Sequence, residues 1–237
     1  MTDVKTSIIL CTKNEEKDIE LSINKLKEHI KSLEIIIVDD NSNDQTRDII
    51  NKLNQNNKIK LIHRIKSKGL ASAFFTGMLK CNGDYIGWID TNMSELNSKF
   101  IEMQNILDEG NDIVILSRYV NGGADNRILV RSLSSYLFNL VTRIILGSKI
   151  KDYTSGIFLM KKSVLNEVSI MPYGHGEFFI EFLENANRKG FSIKEIPFTQ
   201  KKDINLTKSK TSGNLVKFFY LGFIYFLRVI IIKLRRN

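Results

Sequence analysis

The sequence predicts an α/β fold: a mostly parallel central sheet flanked by helices. Three observations predict it. Short runs of apolar, β-branched residues alternate with segments whose apolar residues recur at helical spacing. Several of those runs end in acidic or amide-rich loops, which collects the polar chemistry at one edge of the sheet. The chain has 237 residues, 43% of them apolar, enough for one large domain with an appendage. The expected division is a domain over 1–210 and a basic, apolar C-terminal helix over 211–237.

Ser7 to Cys11 reads as a first buried strand, followed by the loop Thr12-Lys13-Asn14-Glu15-Glu16. Ile19, Ile23, Leu26 and Ile30 then repeat at helical spacing. Glu34 to Val38 is a second strand and ends in Asp39-Asp40-Asn41-Ser42-Asn43-Asp44, a loop able to cap a helix over Gln45 to Leu53. Ile59 to His63 is a third strand. A helix from Gly69 to Lys80 opens with small residues, which let backbone N–H groups approach a phosphate. Tyr85 to Ile89 is the central strand, and it runs into Asp90 and Asn92. In an extended segment residues i and i+2 point the same way. Two oxygen ligands there suit a hard cation such as Mg²⁺; a polar turn closing the strand is the plainer alternative.

A helix over Ser98 to Leu107 and a strand over Asp112 to Leu116 lead to Ser117-Arg118-Tyr119. Beyond Gly122-Gly123 a helix runs from Arg127 to Leu146. It sets Arg127, Arg131, Ser134 or Ser135, and Asn139 on one face, either a phosphate site or a solvated charged face. The turn Asp152 to Gly156 precedes a strand over Ile157 to Met160. Glu177 to Lys189 is a helix closed by Gly190, and Phe191 to Ile196 is a last strand before Pro197.

The formal charge is +9, and nine cations from Lys201 to Arg236 crowd the last 37 residues. They lie among Phe and Ile, which points to a membrane surface rather than to nucleic acid. The longest uncharged run of the tail, Phe218 to Leu227, is far shorter than the roughly 20 residues of a bilayer span. The tail therefore reads as an interfacial helix, or as a core or oligomer-contact helix. A membrane protein or a second copy of the chain is the other candidate to cover it. Cys11 and Cys81 lack metal spacing and suggest a reducing compartment. No N-terminal run is long enough for a signal peptide, so the expected place is the cytoplasmic face of a membrane, held peripherally.

In their order these motifs resemble family 2 glycosyltransferases of the GT-A fold, and among them the synthases of polyprenyl-phosphate sugars. The resemblance rests on Thr12-Lys13-Asn14-Glu15, on Val38-Asp39-Asp40-Asn41-Ser42-Asn43-Asp44-Gln45-Thr46, and on Gly69-Leu70-Ala71-Ser72-Ala73 with Gly77. It continues through Gly83-Asp84-Tyr85 with Asp90-Thr91-Asn92, Ser117 to Gly123, Arg131 with Ser135 and Asn139, and Asp152 to Gly156. Three departures stand out. Asn92 replaces an Asp of the family's D-x-D, Glu95-Leu96-Asn97 replaces a double proline, and only Ser209-Lys210 remains of a closing R-x-x-G-x-S-K.

The resemblance implies inverting transfer of a hexose from a nucleotide-sugar, of the GDP-mannose or UDP-glucose type, to a polyprenyl or dolichyl phosphate. It implies Mg²⁺ or Mn²⁺ at Asp90, Asn92 and Ser94. Thr12, Asn14, Glu15, Asp39, Asp40 and Gly69 would serve the donor with Asp90 and Asn92. Arg118, Arg131, Ser135 and Lys210 would grip the acceptor phosphate, with Asp90, Arg118 and Arg131 as the catalytic set. A phosphate monoester is already an anion at neutral pH, its second pKa being about 6, so it needs cations rather than a general base. His63 and His175 then need no catalytic role. Glu181 would either touch the sugar or form a helix salt bridge. Two other functions stay open: transfer to a glycan or protein hydroxyl, and a non-catalytic domain that binds nucleotide-sugar, which Asn92 motivates.

Overall fold

A computed structural model describes residues 5–54, 59–66, 69–202 and 215–235. Its centre is a seven-stranded sheet of order β3-β2-β1-β4-β7-β5-β8. The strands are β1 (Thr6–Thr12), β2 (Leu33–Asp39), β3 (Ile59–His63), β4 (Tyr85–Trp88), β5 (Ile113–Ser117), β7 (Phe158–Lys161) and β8 (Ile193–Pro197). Short β6 (Ala124–Asp125) and β9 (Thr199–Gln200) pair separately, in parallel. The α/β expectation holds, with one addition: β7 runs antiparallel to both β4 and β5, inserted between them.

Helices cover both faces, so β1 and β2 are apolar on both sides and buried almost throughout. Ile8, Leu10, Ile35 and Ile37 meet α1 (Ile19–His29), α2 (Thr46–Leu53) and α4 (Lys99–Asp108) through Ile19, Ile23, Leu26, Ile50, Phe100 and Met103. Ile9, Ile36 and Val38 face α3 (Leu70–Met78) and α6 (Glu177–Arg188) through Phe74, Phe178 and Phe182. Gly190, at φ +84°, turns the chain out of α6 as expected.

The two remaining helices, α5 (Leu129–Leu146) and α7 (Leu215–Leu234), pack on one another, and α7 also packs on α6. Val229 and Ile232 of α7 join the core. Glu181 is the helix salt bridge, not a free carboxylate: it binds Arg228 at 3.1 Å and Arg235 at 2.9 Å. The expected boundary at 210 falls outside the described residues.

α5 is inverted in polarity, and α7 carries apolar residues on its exposed side as well as its buried one. Arg131, Asn139 and Thr142 of α5 turn inward, while Leu129 (78% exposed), Leu133, Tyr136, Leu137, Val141 and Ile144 (71%) turn outward. On α7, Phe219, Tyr220, Phe223, Leu227, Ile231 and Leu234 are exposed. An ordinary surface helix of a soluble domain has the arrangement opposite to that of α5. Among the described residues, α5 is long and apolar enough to cross a membrane, with a mean hydropathy of 1.2.

Candidate active site

β1 has β2 on one side and β4 on the other, and the chain order reverses across it. Such a switch point leaves a crevice at the carboxyl ends of the strands, where open α/β sheets bind ligands. The loops after β1, β2, β3 and β4 all open there.

The first two loops are stitched together. Asp39 is fully buried. Its carboxylate accepts hydrogen bonds from Thr12 Oγ1 at 3.1 Å, from Ser42 N at 3.0 Å and from the Ser42 hydroxyl. Asn14 N donates to Ser42 Oγ at 2.9 Å, Asn43 N to Asn14 Oδ1 at 3.0 Å, and Glu15 N to Thr46 Oγ1 at 2.8 Å. Lys13 Nζ reaches the carbonyls of Asp40 and Asn41 at 2.6 and 2.9 Å. Asn14 and Asn41 hold positive φ (56° and 57°), which asparagine tolerates better than most residues. Thr12, Asn14, Glu15 and Asp39 are thus brought together as the sequence suggests. Asp39 has its oxygens built into the loop, so it shapes the site from within.

Asp40 and Gly69 are joined through Arg64, which makes Asp40 a neighbouring positioner. Arg64 at the end of β3 donates from Nε to Asp40 Oδ1 at 2.6 Å, and Gly69 N donates to Asp40 Oδ2 at 2.9 Å. Both members of the Asp40–Arg64 pair are buried. The Gly69 N–H thus serves this carboxylate. Its φ of +121° makes the geometry one for glycine. Asp40 ties β2 to the start of α3, and Arg64 carries no motif that would single it out in sequence.

Asp90 follows β4 in extended conformation, and the chain then turns into a short 3₁₀ helix, Thr91–Leu96. Asn92 is in that turn, so strand alternation is not what relates it to Asp90. Both side chains are exposed at the sheet edge, whereas Ser94 is buried behind them. The negative charge of Asp90 reaches Cys11 of β1, whose thiol is pushed far up, by burial first and then by Asp90 and Asp40.

The second cluster sits where β5, α5 and the 152–156 turn meet. Arg118 is 4% exposed and forks onto Asp152, Nε to Oδ2 at 2.8 Å and Nη2 to Oδ1 at 2.7 Å. Its backbone N also donates to Asp152 Oδ2 at 3.0 Å, and Nη1 lies 3.5 Å from Asp125 Oδ2. Burial alone would lower the pKa of Arg118, but Asp152 outweighs it and raises it further. Arg118, expected to grip a phosphate, has its fork committed to Asp152. Its guanidinium also lies over the Tyr119 ring, 5.0 Å from the centroid.

Arg127 precedes α5 rather than belonging to it, and pairs with Asp125 at 2.5 Å. Burial would raise the Asp125 pKa, but Arg127, and then Arg118, hold it below the usual range. Arg131, Ser135 and Asn139 do line one stripe of α5, and it is the inner one. Thr154 is the hub that joins Ser135 and Asn139 to Arg118. Its hydroxyl accepts from Arg118 Nη2 at 2.7 Å and Asn139 Nδ2 at 2.9 Å, and lies 3.4 Å from Ser135 Oγ. Asn139 Oδ1 in turn receives Tyr153 N at 2.7 Å. Lys210 lies outside the described residues.

Residues 7–169 match Glycosyl transferase family 2. The chain belongs to this family. It is 33% identical over 201 residues to a dolichol-phosphate mannosyltransferase of Pyrococcus furiosus, over 83% of this chain and 56% of that protein. The family 2 chain thus spans little more than half of this relative's length. It is 27% identical over 223 residues to a polyprenol monophosphomannose synthase of Mycolicibacterium smegmatis, over 90% of this chain and 83% of that one. Among solved structures, glucosyl-3-phosphoglycerate synthase of Mycobacterium tuberculosis with UDP superposes with a TM-score of 0.72. The match has 17% identity and covers 97% of this chain and 80% of the other. The same enzyme with Mn²⁺, UDP and phosphoglyceric acid gives 0.72 at 16% identity, over 97% and 78%. These are GT-A glycosyltransferases, and the present chain has their fold.

Proposed function

We propose that the chain transfers a hexose from a nucleotide-sugar to a polyprenyl phosphate at a membrane surface, inverting the anomeric centre. The observation that carries this reading is the polarity of α5. Its inner stripe presents Arg131 and Ser135 to the Arg118–Thr154 cluster, and its outer face is apolar. A ligand with an anionic head and a hydrocarbon tail is the substrate that uses both at once.

The stitched Thr12–Glu15 and Asp39–Ser42 loops would hold the nucleoside, and the Asp90 edge would face the diphosphate. Asp90 and Asn92 offer hard oxygen donors that suit Mg²⁺ or Mn²⁺. Among the described residues no three His, Cys, Asp or Glu side chains converge. A cation at this edge would therefore be completed by phosphate oxygens, as Mg²⁺ usually is. Such a cation would neutralise the charge that develops on the leaving diphosphate. Arg131 and Ser135 would hold the acceptor anion in line, with Arg118 fixed behind them by Asp152. The acceptor needs no base, since its phosphate is already ionised.

The names of the sequence relatives favour mannose as the sugar, and the UDP in the structural neighbours keeps a uridine donor in view. The outer faces of α5 and α7 would rest on the bilayer. Asn92 favours a second reading, a domain that binds nucleotide-sugar without turnover. The test is transfer of label from GDP-mannose or UDP-glucose to a short polyprenyl phosphate with Mg²⁺ or Mn²⁺, extracted into organic solvent. Metal-dependent label, lost in Asp90→Ala and Arg131→Ala, is the expected result. Nucleotide binding without label would favour the second reading.

A further inference from the structure

Tyr225 of the C-terminal helix reaches the loop that precedes α6. Tyr225 leaves the inner side of α7 and its hydroxyl meets His175 Nδ1 at 3.1 Å. It also packs against Gly176, where an added Cβ would collide with it. The Tyr225 ring packs edge-on against Phe138 of α5, with centroids 6.2 Å apart. One turn further along α7, Arg228 lies over the Tyr173 ring at 5.7 Å. The segment Tyr173–Gly176 is thus clasped at both ends by α7.

The same segment is tied to the sheet edge. His175 N donates to Glu177 Oε2 at 2.9 Å, and Glu177 opens α6. Phe178 beside it stacks on Phe74 and tilts against Trp88, with centroids 5.6 and 5.8 Å apart. Trp88 is two residues before Asp90. The Tyr225 hydroxyl is held protonated by burial first, then by Glu177 and by Asp90 itself.

We propose that Tyr225 is a positioning residue for the transfer reaction: its hydroxyl clasps His175 and Gly176, and so fixes the Tyr173–Gly176 loop beside the sheet edge that carries Asp90. The proposal rests on the function argued above and adds a specific link, by which the seating of α7 sets the loop. Two glycines flank His175, and Gly174 has a φ of +94°. The loop has little stiffness of its own, so an external clasp matters more here than in a helix.

The experiment is hydrogen–deuterium exchange on the full chain with Tyr225→Phe, which keeps the ring against Phe138 and removes only the hydroxyl. Exchange over 172–177 should quicken about fivefold, the effect of one hydrogen bond, while the rest of α6 and α7 exchanges as in the wild type. His175→Ala should reproduce this, and His175→Asn, whose amide can replace Nδ1, should reverse most of it. In the transfer assay Tyr225→Phe should lower kcat and leave the KM for the nucleotide-sugar unchanged. Unchanged exchange over 172–177 would overturn the proposal. So would a rise shared equally by all of α6 and α7, which would make Tyr225 a packing residue only. Absence of transfer by the wild type would overturn the functional reading alone. The exchange measurement needs no turnover and decides the clasp by itself.

Discussion

Replacing Asp152 by Asn should destabilise the fold by about 3 kcal/mol. Arg118 is almost wholly buried, and Asp152 gives it both carboxylate oxygens and accepts its backbone N–H. The amide keeps one acceptor, turns an NH₂ toward the guanidinium and removes the neutralising charge. Breaking one side of a buried pair costs about 3–5 kcal/mol. The low end applies because Asp125, 3.5 Å from Arg118 Nη1, still offers a second carboxylate. For a chain of this size 1 kcal/mol moves Tm by about 2–4 °C, so the expected fall is roughly 6–12 °C. The assay is thermal unfolding followed by circular dichroism, with urea unfolding as the check on the free energy. A Tm within 2 °C of wild type would refute the reasoning, since it would mean that Arg118 does not depend on Asp152 for its charge balance.

Thr154→Val removes the hydroxyl that joins Arg118, Asn139 and Ser135. It should cost about 1–3 kcal/mol in urea unfolding, and Thr154→Ser should restore most of the loss. Gly87→Ala would place a Cβ 2.6 Å from Ile8 Cδ1 and 2.8 Å from Leu159 Cδ1, between β1 and β7. It should destabilise by about 1–3 kcal/mol through overpacking. The carboxyls of Asp112 and Asp125 are held below their usual range, against burial, by Ser192 and Lys161 and by Arg127 and Arg118. Their contribution to stability is complete above the unfolded carboxyl pKa, about 3.9, and is lost as pH falls through the lower folded values. Unfolding free energies measured from pH 6 to pH 2 should decline at the acid end, and less steeply in Asp125→Asn.

Where sequence was informative, local pattern was the reason. The parallel strands are apolar on both sides and the helices on one side, so the alternation from β1 to β5 could be read directly. The loop residues Thr12, Asn14, Glu15 and Asp39 fall together because they end or follow the neighbouring parallel strands β1 and β2. The direction of β7 could not be read, because a short apolar run looks the same in either orientation. The strand-based relation of Asp90 to Asn92 failed since Thr91 already belongs to a turn. Arg118 was legible as important but not in its role. Its partner Asp152 is 34 residues away, and nothing in the sequence matches one distant charge to another. Arg64 was missed for the same reason, being 24 residues from Asp40. The inward stripe of α5 could be seen as a shared face, but its burial could not, because polar residues at helical spacing ordinarily face water.

The central claim is that the acceptor is a lipid phosphate, held by cations rather than activated by a base. The most direct measurement offers the purified chain a short polyprenyl phosphate and the matching polyprenol. Each is given with labelled GDP-mannose or UDP-glucose, Mg²⁺ or Mn²⁺, and vesicles. Label in the lipid phase with the phosphate and none with the alcohol is the predicted result. Transfer to the alcohol at a comparable rate would contradict the account, and would send the search to a carboxylate base at the Asp90 edge.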